Sequence, residues 1–362
     1  MKRLRPEIHD FKQYSPGMSI GEIKEKYGLD SIIKMASNEN PLGVSPRVQE
    51  VLCANAEQAY RYPRSGCPDL IKVIADYHDL DASCIVAGNG SDELIDLLLR
   101  AVAVPGVDNV VACKPCFSIY ELQSRLCGVE FRQAALNPDF TFPWTELRRL
   151  VDERTAVVFI TTPDNPSGYA PPVEELLEMS RSLPKTSLLV VDEAYMDFTD
   201  DHDQFSILQY FRPSSNIVVL RTFSKMFGLA GLRLGYGIMP EWLAEALQRI
   251  KLPFSVNLLA EVAGIAALED HEFSRQTLQT VREGRSYLSE KLKRLRCFVF
   301  PSQANFILFR PPQPAEKVFS DLLSRGIIIR HAGSYGLEEC LRVSIGNQDE
   351  NKRFILALEE LL

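Results

Sequence analysis

The hydrophobic residues of this chain fall into short blocks. Ala156-Val157-Val158-Phe159-Ile160, Leu188-Leu189-Val190-Val191 and Ile217-Val218-Val219-Leu220 are uninterrupted apolar runs rich in β-branched side chains. Such runs predict strands buried on both faces, because a sheet with one wet face would alternate apolar and polar positions. Between them, Val173, Leu176, Leu177 and Leu183 recur at helical spacing and stop at Pro184. From about residue 84 to 240 strands and amphipathic helices alternate, which predicts crossover units around a largely parallel sheet.

The texture changes after about residue 250. Helical patterns at about 256–270 and 273–295 lead into Cys297-Phe298-Val299-Phe300 and Asn305-Phe306-Ile307-Leu308-Phe309. A helix near 315–325, two short strands holding Arg330 and Arg342, and a helix from about 349 complete a smaller α+β unit. At the other end, Ser15-Pro16-Gly17 signals a turn, and Ser19 is placed to cap a helix over Ile20 to Tyr27. The expected division is an arm at 1–36, a large domain at 37–250 and a small one at 251–362. At 362 residues the chain exceeds the roughly 250–300 residues at which a single core stops growing.

Composition narrows the function classes. The chain is 46% hydrophobic and 24% charged, with a net charge of -8. That excess of acid argues against nucleic acid or an anionic membrane as the main partner. No apolar stretch approaches the roughly 20 residues of a membrane span. The opening Met1-Lys2-Arg3-Leu4-Arg5-Pro6-Glu7 turns polar where a secretory signal would turn apolar. The eight cysteines are scattered. Cys113-Lys114-Pro115-Cys116 has the spacing of a redox or zinc pair, but no second pair or nearby histidine completes a site, so ordinary thiols and a reduced, cytoplasmic setting are expected. The five histidines form no metal-like cluster.

In open α/β sheets ligands bind beyond the carboxyl ends of the strands. Lys225, in Arg221-Thr222-Phe223-Ser224-Lys225, follows one apolar block; Asp192-Glu193-Ala194-Tyr195 ends a second; Asn165, in Pro163-Asp164-Asn165-Pro166-Ser167-Gly168, follows the third. An amine, a carboxylate, a phenol and an amide at neighbouring strand ends suit an aromatic aldehyde cofactor held as a Schiff base. Each residue alone also has a plainer reading: a solvated lysine, a helix-capping aspartate, half-buried turn residues. Gly88-Asn89-Gly90-Ser91-Asp92-Glu93 lies between a short strand at Cys84-Ile85-Val86 and a helical run from Leu94 to Val104. It suits either a phosphate on free backbone N–H groups or an ordinary helix cap. The dinucleotide fingerprint fails at Glu93, and no P-loop is present. Arg233, Arg330 and Arg342 are candidate anion forks, with surface arginine as the alternative.

These residues resemble the fold-type I, pyridoxal phosphate-dependent aminotransferases of class I/II, over nearly the whole chain. Tyr14-Ser15-Pro16-Gly17, Ser37-Asn38-Glu39-Asn40-Pro41 and Arg61-Tyr62-Pro63 are similar to the histidinol-phosphate branch of that family. The resemblance implies an α/β large domain, with a mostly parallel seven-stranded-type sheet between helices, and a smaller α+β C-terminal domain. It makes Lys225 the Schiff-base lysine that also moves the proton, Asp192 the partner of the pyridine nitrogen, and Asn165 and Tyr195 the donors to the ring oxygen. Gly90, Ser91, Asp92, Thr222, Ser224 and Arg233 become the phosphate cup, and Phe117 the ring stacked on the cofactor. Arg342, helped by Arg330, would bind the anionic group of the substrate, with Asn38 and Asn40 lining the pocket. Tyr62 would reach the cofactor of a second subunit in a homodimer. The implied reaction is ping-pong between L-glutamate/2-oxoglutarate and the pair of L-histidinol phosphate and its oxo counterpart. Asp164 and Ser167 stand where the family usually has asparagine and threonine, and Cys116-Phe117 where it has a polar residue and tyrosine. Aromatic aminotransferases and threonine-phosphate decarboxylases share most of these motifs. A regulator built on the same domain would need a DNA-binding domain for which the arm leaves no room.

Overall fold

The computed structural model describes Ile8, residues 20–29 and residues 31–362. The turn expected at Ser15-Pro16-Gly17 and the cap expected from Ser19 lie outside them. The helix Ile20–Tyr27 forms as its pattern predicts.

Thirteen strands are described: β1 (Ile33–Lys34), β2 (Ile85–Asn89), β3 (Asn109–Lys114), β4 (Glu130–Ala135), β5 (Thr155–Thr161), β6 (Leu188–Asp192), β7 (Ile217–Thr222), β8 (Leu234–Ile238), β9 (Phe298–Val299), β10 (Phe306–Arg310), β11 (Ile327–Ile328), β12 (Arg330–His331) and β13 (Leu341–Ser344). Seven of them make one sheet in the order β2-β8-β7-β6-β5-β3-β4. Parallel pairing runs from β7 through β6, β5 and β3 to β4, and β8 is antiparallel to both its neighbours. The three apolar blocks are the adjacent central strands β5, β6 and β7. Their alternate residues feed two cores on opposite faces: Val158, Ile160, Leu189, Val191 and Val219 on one, Val157, Phe159, Leu188, Val190, Val218 and Leu220 on the other. Burial on both faces is why these strands carry no polar alternation.

The helix after β2 begins at Gly90 and runs to Val102, four residues earlier than the apolar run at Leu94 suggests. Its first turn is polar, so hydrophobic periodicity does not report it. Gly90 has φ +74, and a Cβ there would lie 2.7 Å from Nη2 of Arg233. Both the backbone conformation and the close approach of the guanidinium require glycine.

The C-terminal part builds a four-stranded antiparallel sheet in the order β12-β13-β10-β9. Helices His271–Arg294, Ala315–Ser324 and Gln348–Glu359 accompany it. The helix Leu258–Leu268, placed by the sequence in the small domain, packs against helices Pro46–Asn55 and Pro68–His78 and against β8. Its Gly264 lets Leu234, Leu70 and Phe223 approach closely. Near the N-terminus, β1 pairs in parallel with β11, and Ser344 N donates to Met35 O at 2.8 Å. The segment leading to Asn38 is thereby sewn into the small sheet.

Candidate active site

The carboxyl ends of β5, β6 and β7 and the start of helix Gly90–Val102 surround a cavity of about 170 Å3. Ser91, Asp92, Phe117, Asn165, Asp192, Tyr195, Thr222, Ser224, Lys225 and Arg233 all line it. Ten of the expected site residues thus meet around one cavity, brought there by adjacent strand ends and by the helix start.

Lys225 sits three residues beyond β7. Its Nζ donates to the Ser37 carbonyl at 3.2 Å and lies 5.7 Å from the centre of the Tyr195 ring. Burial, and then the positive field of Arg342, push the amine down to about 8. A neutral, nucleophilic fraction therefore exists near neutral pH.

Asp192 ends β6 and is 3% exposed. Its Oδ2 accepts from Tyr120 Oη at 2.8 Å and its Oδ1 from the Ala194 N–H at 3.1 Å. Burial pushes the carboxyl up to about 6, against the pull of those two donors. A buried carboxylate without a cation is costly, so this end of the cavity favours a guest that brings positive charge.

Tyr195 Oη accepts from Asn38 Nδ2 at 3.1 Å, and burial raises its phenol. Asn165 Oδ1 accepts from Arg342 Nη1 and, at 3.5 Å, from Tyr335 Oη. Its amide nitrogen is the group available to a guest.

Also on the cavity lining, Arg233 donates to Asp92 Oδ2 at 3.0 Å and to the Ala230 carbonyl at 3.3 Å. Thr222 Oγ1 accepts from the Ser224 N–H at 3.1 Å. A Cβ at Gly235 would lie 2.5 Å from Ser91 N. Two glycines thus keep space around the helix N-terminus, where N–H groups and the helix dipole favour an anion.

Arg342 lies on β13 directly opposite Arg330 on β12. Paired positions on antiparallel strands share a face, so both guanidinium groups belong to one side of the small sheet. Arg342 is buried, donates from Nη2 to the Ala36 carbonyl at 3.0 Å, and stands 5.1 Å from the Phe306 ring. Its Nε has no partner. Arg330 is half-buried and donates to Ser334 Oγ at 3.3 Å.

The matching family model is that of aminotransferase class I and II, over residues 30–358. The chain belongs to this family. It is 58% identical to a histidinol-phosphate aminotransferase of Nitratidesulfovibrio vulgaris (strain DP4), with 99% of this chain and 96% of that protein covered. It is 42% identical to one from Methanosarcina mazei, over 98% and 96% of the two chains. Among solved structures, histidinol-phosphate aminotransferase from Clostridium acetobutylicum matches at 26% identity with a TM-score of 0.84, covering 91% of this chain and 99% of that one. The Sinorhizobium meliloti enzyme in complex with pyridoxal-5'-phosphate shares the fold at a TM-score of 0.90 and 24% identity, over 100% and 99% of the chains.

Within this aminotransferase chain the donor set fits pyridoxal phosphate. A buried carboxylate without a cation, an anion cradle kept open by glycine and an amine of lowered basicity line the same cavity. The family departures are also accommodated. Asp164 Oδ2 accepts from Ser167 Oγ at 2.5 Å and Ser167 N at 3.1 Å, and burial pushes its carboxyl up to about 6. Phe117 presents its ring to the cavity and packs edge-on against Tyr120. Burial raises the Cys116 thiol to about 12, which disfavours the thiolate.

Asn40 donates from Nδ2 to the Met226 carbonyl at 2.6 Å and to Thr277 Oγ1 at 3.2 Å, and accepts from Leu42 N. Its polar groups are engaged within the protein, where they brace the loop that carries Lys225. Tyr62 lies off the cavity, 81% exposed, and stacks on Phe254 at 4.8 Å. Sequence reasoning missed Tyr120 and Thr161, which are joined by a 2.7 Å hydrogen bond. The sequence signal was slight: Tyr120 lies in the first turn of the helix that Phe117 precedes. It also missed the buried pair of Arg221 and Glu193, 2.7 Å apart, which ties β7 to the turn after Asp192.

Proposed function

We propose that this aminotransferase moves an amino group between L-glutamate and the oxo phosphate whose amine form is L-histidinol phosphate. The observation that carries the reading is the pairing of Lys225, a half-buried amine lowered to about 8, with the two-arginine face of β12 and β13. The 58% identity to a histidinol-phosphate aminotransferase supports the substrate assignment.

Pyridoxal 5'-phosphate, when bound, supplies an aldehyde that condenses with amines and a protonated ring that accepts electrons from the adjoining carbon. Asp192 would hold the proton on the ring nitrogen. Asn165 and Tyr195 would donate to the ring oxygen, and Phe117 would cover the ring. The helix N-terminus at Gly90, Ser91 and Asp92, with Thr222, Ser224 and Arg233, would take the phosphate. Lys225 is the covalent anchor, and its free amine is basic enough to carry a proton between two substrate carbons. Arg342 and Arg330 accept either a carboxylate or a phosphate, because both anions take two-pronged hydrogen bonds from a guanidinium. Asn38 borders this side of the site, and Asn40 braces the Lys225 loop behind it.

The working unit in this reading is a homodimer in which Tyr62 reaches the partner's cofactor phosphate. Tyr60 and Leu252, at 77% and 73% exposed, lie two residues along the chain from Tyr62 and Phe254 and add exposed apolar side chains suited to burial against a second copy. Eight free cysteines suit a reducing, cytoplasmic setting.

A single-turnover half-reaction tests the proposal. The cofactor-loaded protein, yellow by expectation, is mixed separately with L-histidinol phosphate, L-phenylalanine and L-threonine phosphate. Fast bleaching with histidinol phosphate and slow bleaching with phenylalanine is the expected result. Preference for phenylalanine would make it an aromatic aminotransferase, and carbon dioxide from threonine phosphate a decarboxylase.

A further inference from the structure

Asn38 has φ +56, a left-handed conformation that asparagine tolerates better than most residues. It inserts a buried amide between the small sheet and the cavity. Its backbone N–H donates to Ser344 Oγ at 2.8 Å, and its Oδ1 lies 2.9 Å from the same oxygen. Ser344 is buried. Having accepted one hydrogen from Asn38 N, its hydroxyl places its own proton on Asn38 Oδ1. That fixes which end of the amide is which, and Nδ2 donates to Tyr195 Oη at 3.1 Å. Asn305 Nδ2 secures the same residue by donating to the Asn38 carbonyl at 3.0 Å.

The direction of these bonds matters. Because Tyr195 accepts from Asn38, its own O–H is spared for the cavity. A rotated amide would reverse this: Tyr195 would donate to Asn38, and the buried Ser344 proton would lose its acceptor. Ser344 also stands two residues from Arg342 on β13, so both project from one face of that strand.

We propose that Ser344, acting through Asn38, is a positioning residue that directs the Tyr195 hydroxyl proton toward the cofactor ring oxygen. This rests on the reading that the cavity holds pyridoxal phosphate. A donor to an oxyanion lowers its proton affinity. Losing that donor raises the pH at which the loaded protein changes colour.

The test is the pH midpoint of the visible absorbance of the cofactor-loaded protein, a readout independent of turnover. Ser344→Ala is expected to raise it by about one pH unit, and Ser344→Thr, which keeps the hydroxyl, to match the parent. In a Tyr195→Phe background, Ser344→Ala is expected to add nothing. Asn38→Asp turns the relay's donor into an acceptor and is expected to raise the midpoint too, so the proposal stays open to test if Ser344→Ala does not fold. An unchanged midpoint in both Ser344→Ala and Asn38→Asp overturns the relay. So does a Ser344→Ala shift that persists without the Tyr195 hydroxyl. A parent protein that gives no visible band with pyridoxal phosphate would instead overturn the functional reading, and the relay with it.

Discussion

Tyr120 Oη donates to Asp192 Oδ2 at 2.8 Å across 72 residues of sequence. The phenol also meets Thr161 Oγ1 at 2.7 Å, and its ring stacks on Phe159 at 4.4 Å between centres. Asp192 is thereby held rigid from β5 and from the helix Ser118–Leu126. Donors to a carboxylate favour its ionised form, so removing one raises its pKa. Tyr120→Phe is expected to weaken the hold of Asp192 on the protonated ring nitrogen and so to lower kcat/KM. A loss of about tenfold at neutral pH is expected, the equivalent of one net hydrogen bond. A kcat/KM equal to the parent's would remove Tyr120 from this role.

Arg342 is expected to serve both substrates. Arg342→Ala removes a charged, two-pronged partner worth about 1.5–3 kcal/mol, or roughly 10- to 100-fold in KM. Steady-state kinetics with L-glutamate and with L-histidinol phosphate should show the rise for each. An effect confined to glutamate would mean that the phosphate is bound elsewhere.

Glu193 and Arg221 are both buried, with Nη2 to Oε2 at 2.7 Å, and Arg221 also reaches Asp197 at 2.9 Å. Glu193 further accepts from Ser206 Oγ and from the Ile207 N–H. Replacing Glu193 by alanine leaves a guanidinium buried beside a single, partly exposed carboxylate. A destabilisation of about 3–5 kcal/mol is expected, as for other broken buried pairs. Urea unfolding of the variant checks it, and a midpoint equal to the parent's would refute it.

His78 lies 2.7 Å from Tyr236 Oη, and burial, followed by the field of Arg221, pushes its imidazole from 6.5 down to about 3. The unfolded chain then binds the proton more readily than the folded one. This contribution to stability is complete above pH 6.5 and is lost progressively as pH falls toward 3. His78→Gln is expected to flatten the stability curve across that window. Chemical unfolding at pH 7 and pH 5 measures it: an equal slope in parent and variant would exclude His78 as a source.

Much of the architecture was legible because it depends on neighbours in sequence. The block at 156–160 became β5 with one residue more at each end, and 188–191 and 217–220 became β6 and β7. The start of the helix at Gly90 was not legible from periodicity, because its first turn serves the cavity and is polar. The packing of helix Leu258–Leu268 against Pro46–Asn55 was not legible either. An apolar helix declares that it is buried, but not which partner buries it.

The same division holds for the site. Hydrophobic blocks and the short motifs behind them determined, by themselves, that an amine, a carboxylate, a phenol and an amide stand at strand ends. Local residue types set strand formation and turn position, and those act over a few residues. Only the tertiary structure decided that Tyr120 supports Asp192, that Asn40 is spent on the Lys225 loop, and that Ser344 reaches Tyr195 through Asn38. Asn38 and Ser344 are 306 residues apart. Their meeting depends on the order of strands and on the pairing of β1 with β11, which no local pattern encodes.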